Sequence, residues 1–236
     1  MGRLIVTIDG PAGAGKSTVS RRLAETLDYT YLDTGAIYRT LGLAVGADGP
    51  LAGRLDEGAD PERLDGQDRA ALADRARSLE ITFADAGTRV FLAGEEVTDR
   101  IRTPAAGERA SRVSAVPEVR EALLELQRTL AAGGGVVVEG RDTGSVVFPQ
   151  AEAKFFLTAS VGCRAQRRTA ELRSRGLAAE EADVAREIAS RDARDAGRSV
   201  APLVRPTGAI EVDSSDMAVA EVVSEMANKV RALEAS

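Results

Sequence analysis

One segment constrains this chain more than any other: Gly10-Pro-Ala-Gly-Ala-Gly15-Lys16-Ser17. It fits the spacing G-x-x-x-x-G-K-[ST], directly after the apolar run Leu4–Ile8 and directly before an amphipathic stretch over Ser17–Leu27. A buried strand that turns through glycines into a helix points successive backbone N–H groups inward. With the positive end of the helix dipole, these groups make a socket for phosphate. Lys16 has the reach to meet β- and γ-phosphate oxygens, and the Ser17 hydroxyl can ligate Mg2+. Gly10, Pro11, Ala12, Gly13, Ala14, Gly15, Lys16, Ser17 and Thr18 are therefore expected to bind a nucleoside triphosphate, with Lys16 as a surface loop residue that has no part in the core. The pattern leaves open what becomes of the γ-phosphate, since kinases, switch GTPases, motor ATPases and regulatory binders share it.

The rest of the chain fits a parallel α/β protein. Leu4–Ile8, Thr30–Leu32, Val136–Glu139, Lys154–Leu157 and Ala209–Val212 read as five strands covered on both faces. Helical stretches separate them, among them Glu118–Ala131, Cys163–Arg175 and Ala179–Arg194. A closing helix carries the stripe Val219, Val222, Val223, Met226, Val230 and Leu233. Ile81–Thr98 breaks the rhythm. Ile81 and Phe83 alternate with polar residues, Asp85–Gly87 turns, Val90–Leu92 is extended, and Ala93–Glu96 turns again before Val97, so a small antiparallel meander is expected. Gly46–Gly66 is poorly patterned and reads as loop and short helix.

Composition then removes whole classes of chemistry. The 236 residues include no histidine and one cysteine, Cys163, which excludes Ser-His-Asp and Cys-His catalysis, histidine-ligated zinc and internal disulfides. All but three of the 31 basic residues are arginine, the lysines being Lys16, Lys154 and Lys229. A net charge of −6 and a pI near 5.0 argue against nonspecific binding to nucleic acid or an anionic membrane. No stretch approaches the roughly 20 apolar residues of a membrane span. A soluble cytoplasmic protein is expected, with no nucleic-acid or membrane partner.

No N-K-x-D base-reading motif surrounds Lys154 or Lys229, and the chain is short for a motor ATPase, so a small-molecule or nucleotide kinase fits better. At Leu32-Asp33-Thr34-Gly35-Ala36-Ile37-Tyr38-Arg39 a strand runs into a helix. Thr34 and Arg39 either receive an anion there or are an ordinary threonine cap and an exposed arginine. At Glu139-Gly-Arg141-Asp142 a buried strand ends in acidic and basic residues. Glu139 is placed as a Mg2+-associated acid should be in such a sheet, the bland alternative for Glu139 and Asp142 being loop capping.

The chain resembles the bacterial cytidylate kinases. The resemblance rests on Ile8–Thr18, Leu32–Arg39, Val119–Leu124, Glu139–Gly144, Val147–Pro149, Arg191–Asp195 and Val200–Leu203, in the same order along nearly the whole chain. Ser17 stands where several relatives have Gly, and Thr34 where some have Ser. The resemblance implies transfer of the γ-phosphate of MgATP to CMP or dCMP, with Mg2+ as cofactor and a monomer as the working state. It implies a five-stranded P-loop core over 1–39, 114–159 and 202–236, a monophosphate-binding insertion over 40–113 containing the antiparallel sheet, and a short helical lid over 160–201. Thr34, Arg39, Arg141 and Arg198 match phosphate ligands; Ser111, Arg120 and Asp142 match cytosine readers; Arg191 and Asp195 match sugar contacts. Lys16, Arg141, Arg191, Arg194 and Arg198 are the expected catalytic set.

Taken singly, these residues admit blander readings. Ser111 can be a plain helix serine, and Arg120 a surface partner of Glu125. Arg164, Arg167, Arg168, Arg173 and Arg175 can form a solvated face with one or two members on ATP. Arg186, Arg191, Arg194 and Arg198 can pair internally with Asp192 and Asp195. Cys163 reads as an inert small residue. Kinases acting on adenylate, shikimate or dephospho-coenzyme A are the nearest rivals, and the meander and the Arg191–Asp195 run argue against them. A nonhydrolysing regulatory binder is the rival from another class.

Overall fold

Unbroken runs of β-branched residues become strands where helices cover both faces, and that is how the sheet is built in the computed structural model, which describes residues 3–46 and 64–235. The five strands are β1 (Ile5–Asp9), β2 (Thr30–Asp33), β6 (Val136–Glu139), β7 (Ala153–Thr158) and β8 (Ile210–Asp213), in the order β2-β6-β1-β7-β8. The β1–β6, β1–β7 and β7–β8 pairs are parallel, with Ile8 opposite Glu139 on one side and Phe155 on the other. Val6, Ile8, Val137, Val138 and Leu157 are fully buried. Each such side chain contributes about 1.5–3 kcal/mol of burial. The order places β1 at the centre, between β6 and β7. Its carboxyl end therefore opens into the crevice where ligands bind in open α/β sheets.

Two compact units result, Met1–Tyr31 with Gly133–Ser236, and Leu32–Ala132. The first holds α1 (Lys16–Leu27), α6 (Val161–Ser174), α7 (Glu181–Ala196) and α8 (Val219–Glu234). Helix α8 buries Val222, Val223, Met226 and Val230 as its stripe predicts, but Leu233 at its last turn is 43% exposed. Helices α6 and α7 share a small apolar cluster of Ala165, Val184 and Ile188.

The second unit holds α2 (Thr34–Gly46), α3 (Gly66–Arg77), α4 (Pro104–Val113) and α5 (Pro117–Ala131), with the strands β3 (Ile81–Ala84), β4 (Arg89–Leu92) and β5 (Glu95–Glu96). The strands form the expected antiparallel meander, but its second turn is tighter than the sequence suggests. Only Ala93 and Gly94, both at positive φ, make the bend, and Glu95 and Glu96 already pair with Leu92 and Phe91. A two-residue turn with both φ positive matches the twist of the flanking strands. Helices α3 and α4 escape the periodicity because alanines fill much of their buried faces. Their starts carry side-chain caps: Asp65 accepts from the Asp68 amide at 2.8 Å, and Thr103 accepts from the Ala106 amide at 3.2 Å, just before Pro104. The expectation for Gly46–Gly66 falls mostly on 47–63, outside the described residues. No helix among the described residues is long and apolar enough to cross a membrane.

Candidate active site

The glycine-rich segment lies between β1 and α1, at the central crevice of the sheet. Gly10 lies so close to β7 that a Cβ there would stand 2.0 Å from the Leu157 carbonyl oxygen, so no side chain fits. Ser17 and Thr18 stand exposed in the first turn of α1. Lys16 corrects the sequence expectation. It is the first residue of α1, only 7% exposed, and its Nζ donates to the Pro11 carbonyl at 2.7 Å.

Two carboxylates close the floor of this loop. Glu139, at the end of β6, is buried, and its Oε1 accepts from Ser17 Oγ at 2.7 Å and from the Tyr31 hydroxyl at 2.9 Å. Glu139 therefore reaches Ser17, the last residue of the glycine-lysine motif. Asp9, at the end of β1, accepts from the Thr143 amide, the Thr143 hydroxyl and the Gly144 amide at 2.7–2.8 Å. It anchors a wide turn over Thr143–Val147, in which the Phe148 amide donates to the Thr143 carbonyl. Burial, with the nearby Asp142 charge, holds the Asp9 pKa above its ordinary value despite these bonds. Asp142 precedes that turn, buried, and its side chain does not cap it.

The exposed hydroxyl of Ser17 beside the Glu139 carboxylate is a hard-oxygen pair. Among the described residues, no group of three or more acidic or cysteine side chains could hold a metal without help. This suits Mg2+, which keeps water and substrate phosphates as most of its ligands and takes only one or two from protein.

A set of arginines gathers around Asp195 on α7. Asp195 is 1% exposed; its Oδ2 accepts from Arg141 Nε at 3.0 Å, and its Oδ1 accepts from Arg198. Burial by itself would raise the Asp195 pKa, but Arg141, Arg198 and Arg191 outweigh it and hold the carboxyl below its ordinary value. Internal pairing of the kind considered for this segment occurs at Arg198–Asp195, and Arg186 pairs with Asp183; Asp195 also takes Arg141, which arrives from the end of β6. Arg194 lies half-buried on α7 beside Asp195.

Lys16 is pushed well below the ordinary lysine value of 10.5, first by burial and then by repulsion from Arg141 and Arg191, which Glu139 and Asp9 only partly offset. A pH prediction follows. Because kcat/KM reports the free enzyme, kcat/KM for ATP should fall on the alkaline side, with an inflection well below pH 10.5, as Lys16 loses its proton. Lys16→Arg should remove that inflection. A wild-type profile flat up to the ordinary lysine range would contradict the reading.

In the second unit, Asp33 rather than Thr34 caps α2, accepting from the Ala36 amide at 3.0 Å, and its other oxygen holds Arg39. Thr34 is the buried first residue of α2, and Arg39 is ion-paired to Asp33, so the exposed arginine is not found. Arg120, 8% exposed, donates from Nη1 to the Ser114 carbonyl at 3.1 Å and stacks 5.6 Å from the Tyr38 ring centroid. Arg120 is thus buried rather than on the surface, and Glu125 pairs with Arg128. Ser111 is buried on α4, and its carbonyl accepts from Ser114 Oγ at 3.1 Å.

A family model described as cytidylate kinase matches residues 6–232. The cytidylate kinase of Symbiobacterium thermophilum is 47% identical over 231 residues, covering 97% of this chain and 96% of that one. That of Pelotomaculum thermopropionicum is 46% identical over 227 residues, covering 96% of each. That of Caldanaerobacter subterraneus subsp. tengcongensis is 43% identical over 226 residues, covering 96% and 94%. The chain belongs to the cytidylate kinase family.

Within this cytidylate kinase family member, several residues that organise the site stand beside the residues singled out from sequence. Asp9, Asp33 and Tyr38 lie inside the recognised segments with no role read from sequence, and Tyr31 flanks one; only three-dimensional contacts show what they hold. The arginines of α6 and its end divide, with Arg173 and Arg175 exposed and the earlier ones turned inward. Arg164 is buried, and Arg167 donates to the Ser214 carbonyl and hydroxyl at 2.6 and 3.1 Å. Arg168 and Arg175 pair with Glu171 nearer the surface. Cys163 is half-buried; its amide donates to the capping Ser160 Oγ and its thiol to the Ser215 carbonyl at 3.5 Å.

Proposed function

We propose that this chain transfers the γ-phosphoryl group of MgATP to the phosphate of CMP or dCMP, giving ADP and CDP or dCDP. The observation that carries the reading is the set of cations at the phosphate loop: Lys16 folds back on the loop at Pro11, Ser17 bonds Glu139, and Arg141 and Arg198 share Asp195. A polyanion would offset the repulsion among such cations. Planar guanidinium groups bind phosphate oxygens in pairs and stay charged.

The acceptor is a phosphate oxygen, already ionised near neutral pH. It forms a bond to the γ-phosphorus while the bond to the β–γ bridging oxygen breaks, and the electron pair leaves with ADP. No proton has to be removed, so a histidine-free chain lacks nothing. The work is positioning and charge stabilisation. Lys16 and the amides of Gly10–Thr18 would hold the triphosphate. Ser17, with Glu139 beside it, would hold Mg2+, which when bound neutralises charge on the β- and γ-phosphate oxygens. Arg141, Arg191, Arg194 and Arg198 would serve the transferring and accepting phosphates. Thr34 and Arg39 would bind the acceptor phosphate, and Ser111 and Arg120 the cytosine. Segment 160–201, containing α6 and α7, would act as the lid that excludes water. The working state is proposed to be a monomer.

Cytosine differs from uracil by presenting an N4 amino donor where uracil presents an oxygen acceptor. The Asp142 carboxylate would attract the first and repel the second. Asp142→Ala is expected to lower kcat/KM for CMP at least about tenfold, the scale of one lost discriminating contact to a buried polar group, and to narrow the gap between CMP and UMP. Unchanged CMP and UMP kinetics would remove Asp142 from this role.

A further inference from the structure

The middle of the phosphate loop is tied to the α6–α7 hairpin through one residue, Ala12. Its amide donates to Asp192 Oδ1 at 3.0 Å, and its carbonyl accepts from Arg164 Nη1 at 2.9 Å. Arg164 and Asp192 also pair with each other, closing a ring of guanidinium, carboxylate and one backbone residue. Arg164 is itself fixed, since its Nε donates to the Ala159 carbonyl at 2.9 Å and its side chain is 6% exposed. The loop and the hairpin are in close contact here. A Cβ at Gly13 would lie 3.2 Å from Arg164 Cβ and 3.4 Å from Ile188 Cδ1.

We propose that Asp192 is a positioning residue for ATP. By holding the Ala12 amide and the Arg164 guanidinium together, it sets the curl of the phosphate-binding loop and ties the seating of the hairpin to nucleotide affinity. A partly buried carboxylate that bridges a charged donor and a backbone donor is costly to remove, because both partners lose their acceptor. The cost falls on the loop, since the two partners of Asp192 are the Ala12 amide and the Arg164 guanidinium. The inference rests on the reading that this loop binds ATP.

The test is steady-state kinetics of the full chain carrying Asp192→Ala or Asp192→Asn, with ATP and CMP each varied. Asp192→Ala should raise KM for ATP about tenfold or more and leave KM for CMP within about twofold. Asp192→Asn keeps an oxygen for the Ala12 amide but loses the charge facing Arg164, and should fall between wild type and Asp192→Ala. A purely structural role would lower Tm and the active fraction without separating the two KM values. KM for ATP within twofold of wild type in Asp192→Ala, or a parallel rise in both KM values, would overturn the proposal. Should Asp192→Ala fail to fold, Asp192→Asn decides by the same split. If the wild-type chain shows no CMP-dependent ADP release, the functional reading has failed. Calorimetric ATP binding by the same variants then decides the role of Asp192, weakened binding supporting it and unchanged binding refuting it.

Discussion

Lys16→Met should lower kcat for CDP formation by at least about 100-fold while leaving Tm within a few degrees of wild type. The loss is on the scale of removing one preorganised charge-stabilising group from a transition state. The second half of the expectation follows from the structure. Lys16 is buried, which would ordinarily make its replacement hazardous. Its ammonium, however, is held at a cost, since burial and the charges of Arg141 and Arg191 disfavour the protonated form. A depressed lysine pKa destabilises the fold at pH values where the unfolded chain would carry that proton, and the penalty fades as pH rises. Methionine keeps the buried stem without the charge. Retention of more than a tenth of wild-type kcat would refute the role of Lys16. A large fall in Tm would show that it supports the fold directly.

The second large effect is expected at Asp195. Asp195→Asn keeps the shape but removes the charge that Arg141 and Arg198 share, leaving two poorly solvated guanidinium groups uncompensated. Breaking a buried pair on one side costs about 3–5 kcal/mol, and the lower end applies because Arg141 keeps some contact with water. About 3 kcal/mol corresponds to a Tm drop of about 6–12 °C in a chain of this size. With both arginines released, kcat/KM for CMP should fall about 100-fold. The pH dependence has a definite sign. The folded pKa of Asp195 lies below 3.8, so its stabilisation is present above the unfolded value and disappears as pH falls through and below it. The stability gap between wild type and Asp195→Asn, followed by urea unfolding, should therefore close at acidic pH. A variant with wild-type Tm and a raised KM for CMP alone would instead make Asp195 a simple contact to the nucleotide.

The sheet, the phosphate loop and the meander were legible because each leaves a local signature: an apolar run, a glycine-lysine spacing, or period-two alternation. All five core strands fall within one or two residues of their sequence-based bounds. The helices α3 and α4 were not legible, since alanine marks their buried faces too faintly. In the site, the residues with recognisable spacing stood out, but their supports did not. Asp195 and Arg141 are 54 residues apart, Asp192 and Ala12 180, and Tyr31 and Glu139 108. Such pairings are made by the order of strands in the sheet, which no local pattern encodes. Lys16 shows the same limit from the other side: its spacing identified it, but only the packing of α1 at the sheet crevice buries it.

The central claim is phosphoryl transfer from ATP to a cytosine monophosphate by a cluster of cations, with no general base. The most direct test is ADP release by the purified chain in a coupled assay with MgATP and, in turn, CMP, dCMP, UMP, AMP and shikimate as acceptors. The account predicts rapid release with CMP and dCMP, weaker release with UMP, and little with AMP or shikimate. Release that does not depend on an acceptor, or that is fastest with AMP or shikimate, would contradict it.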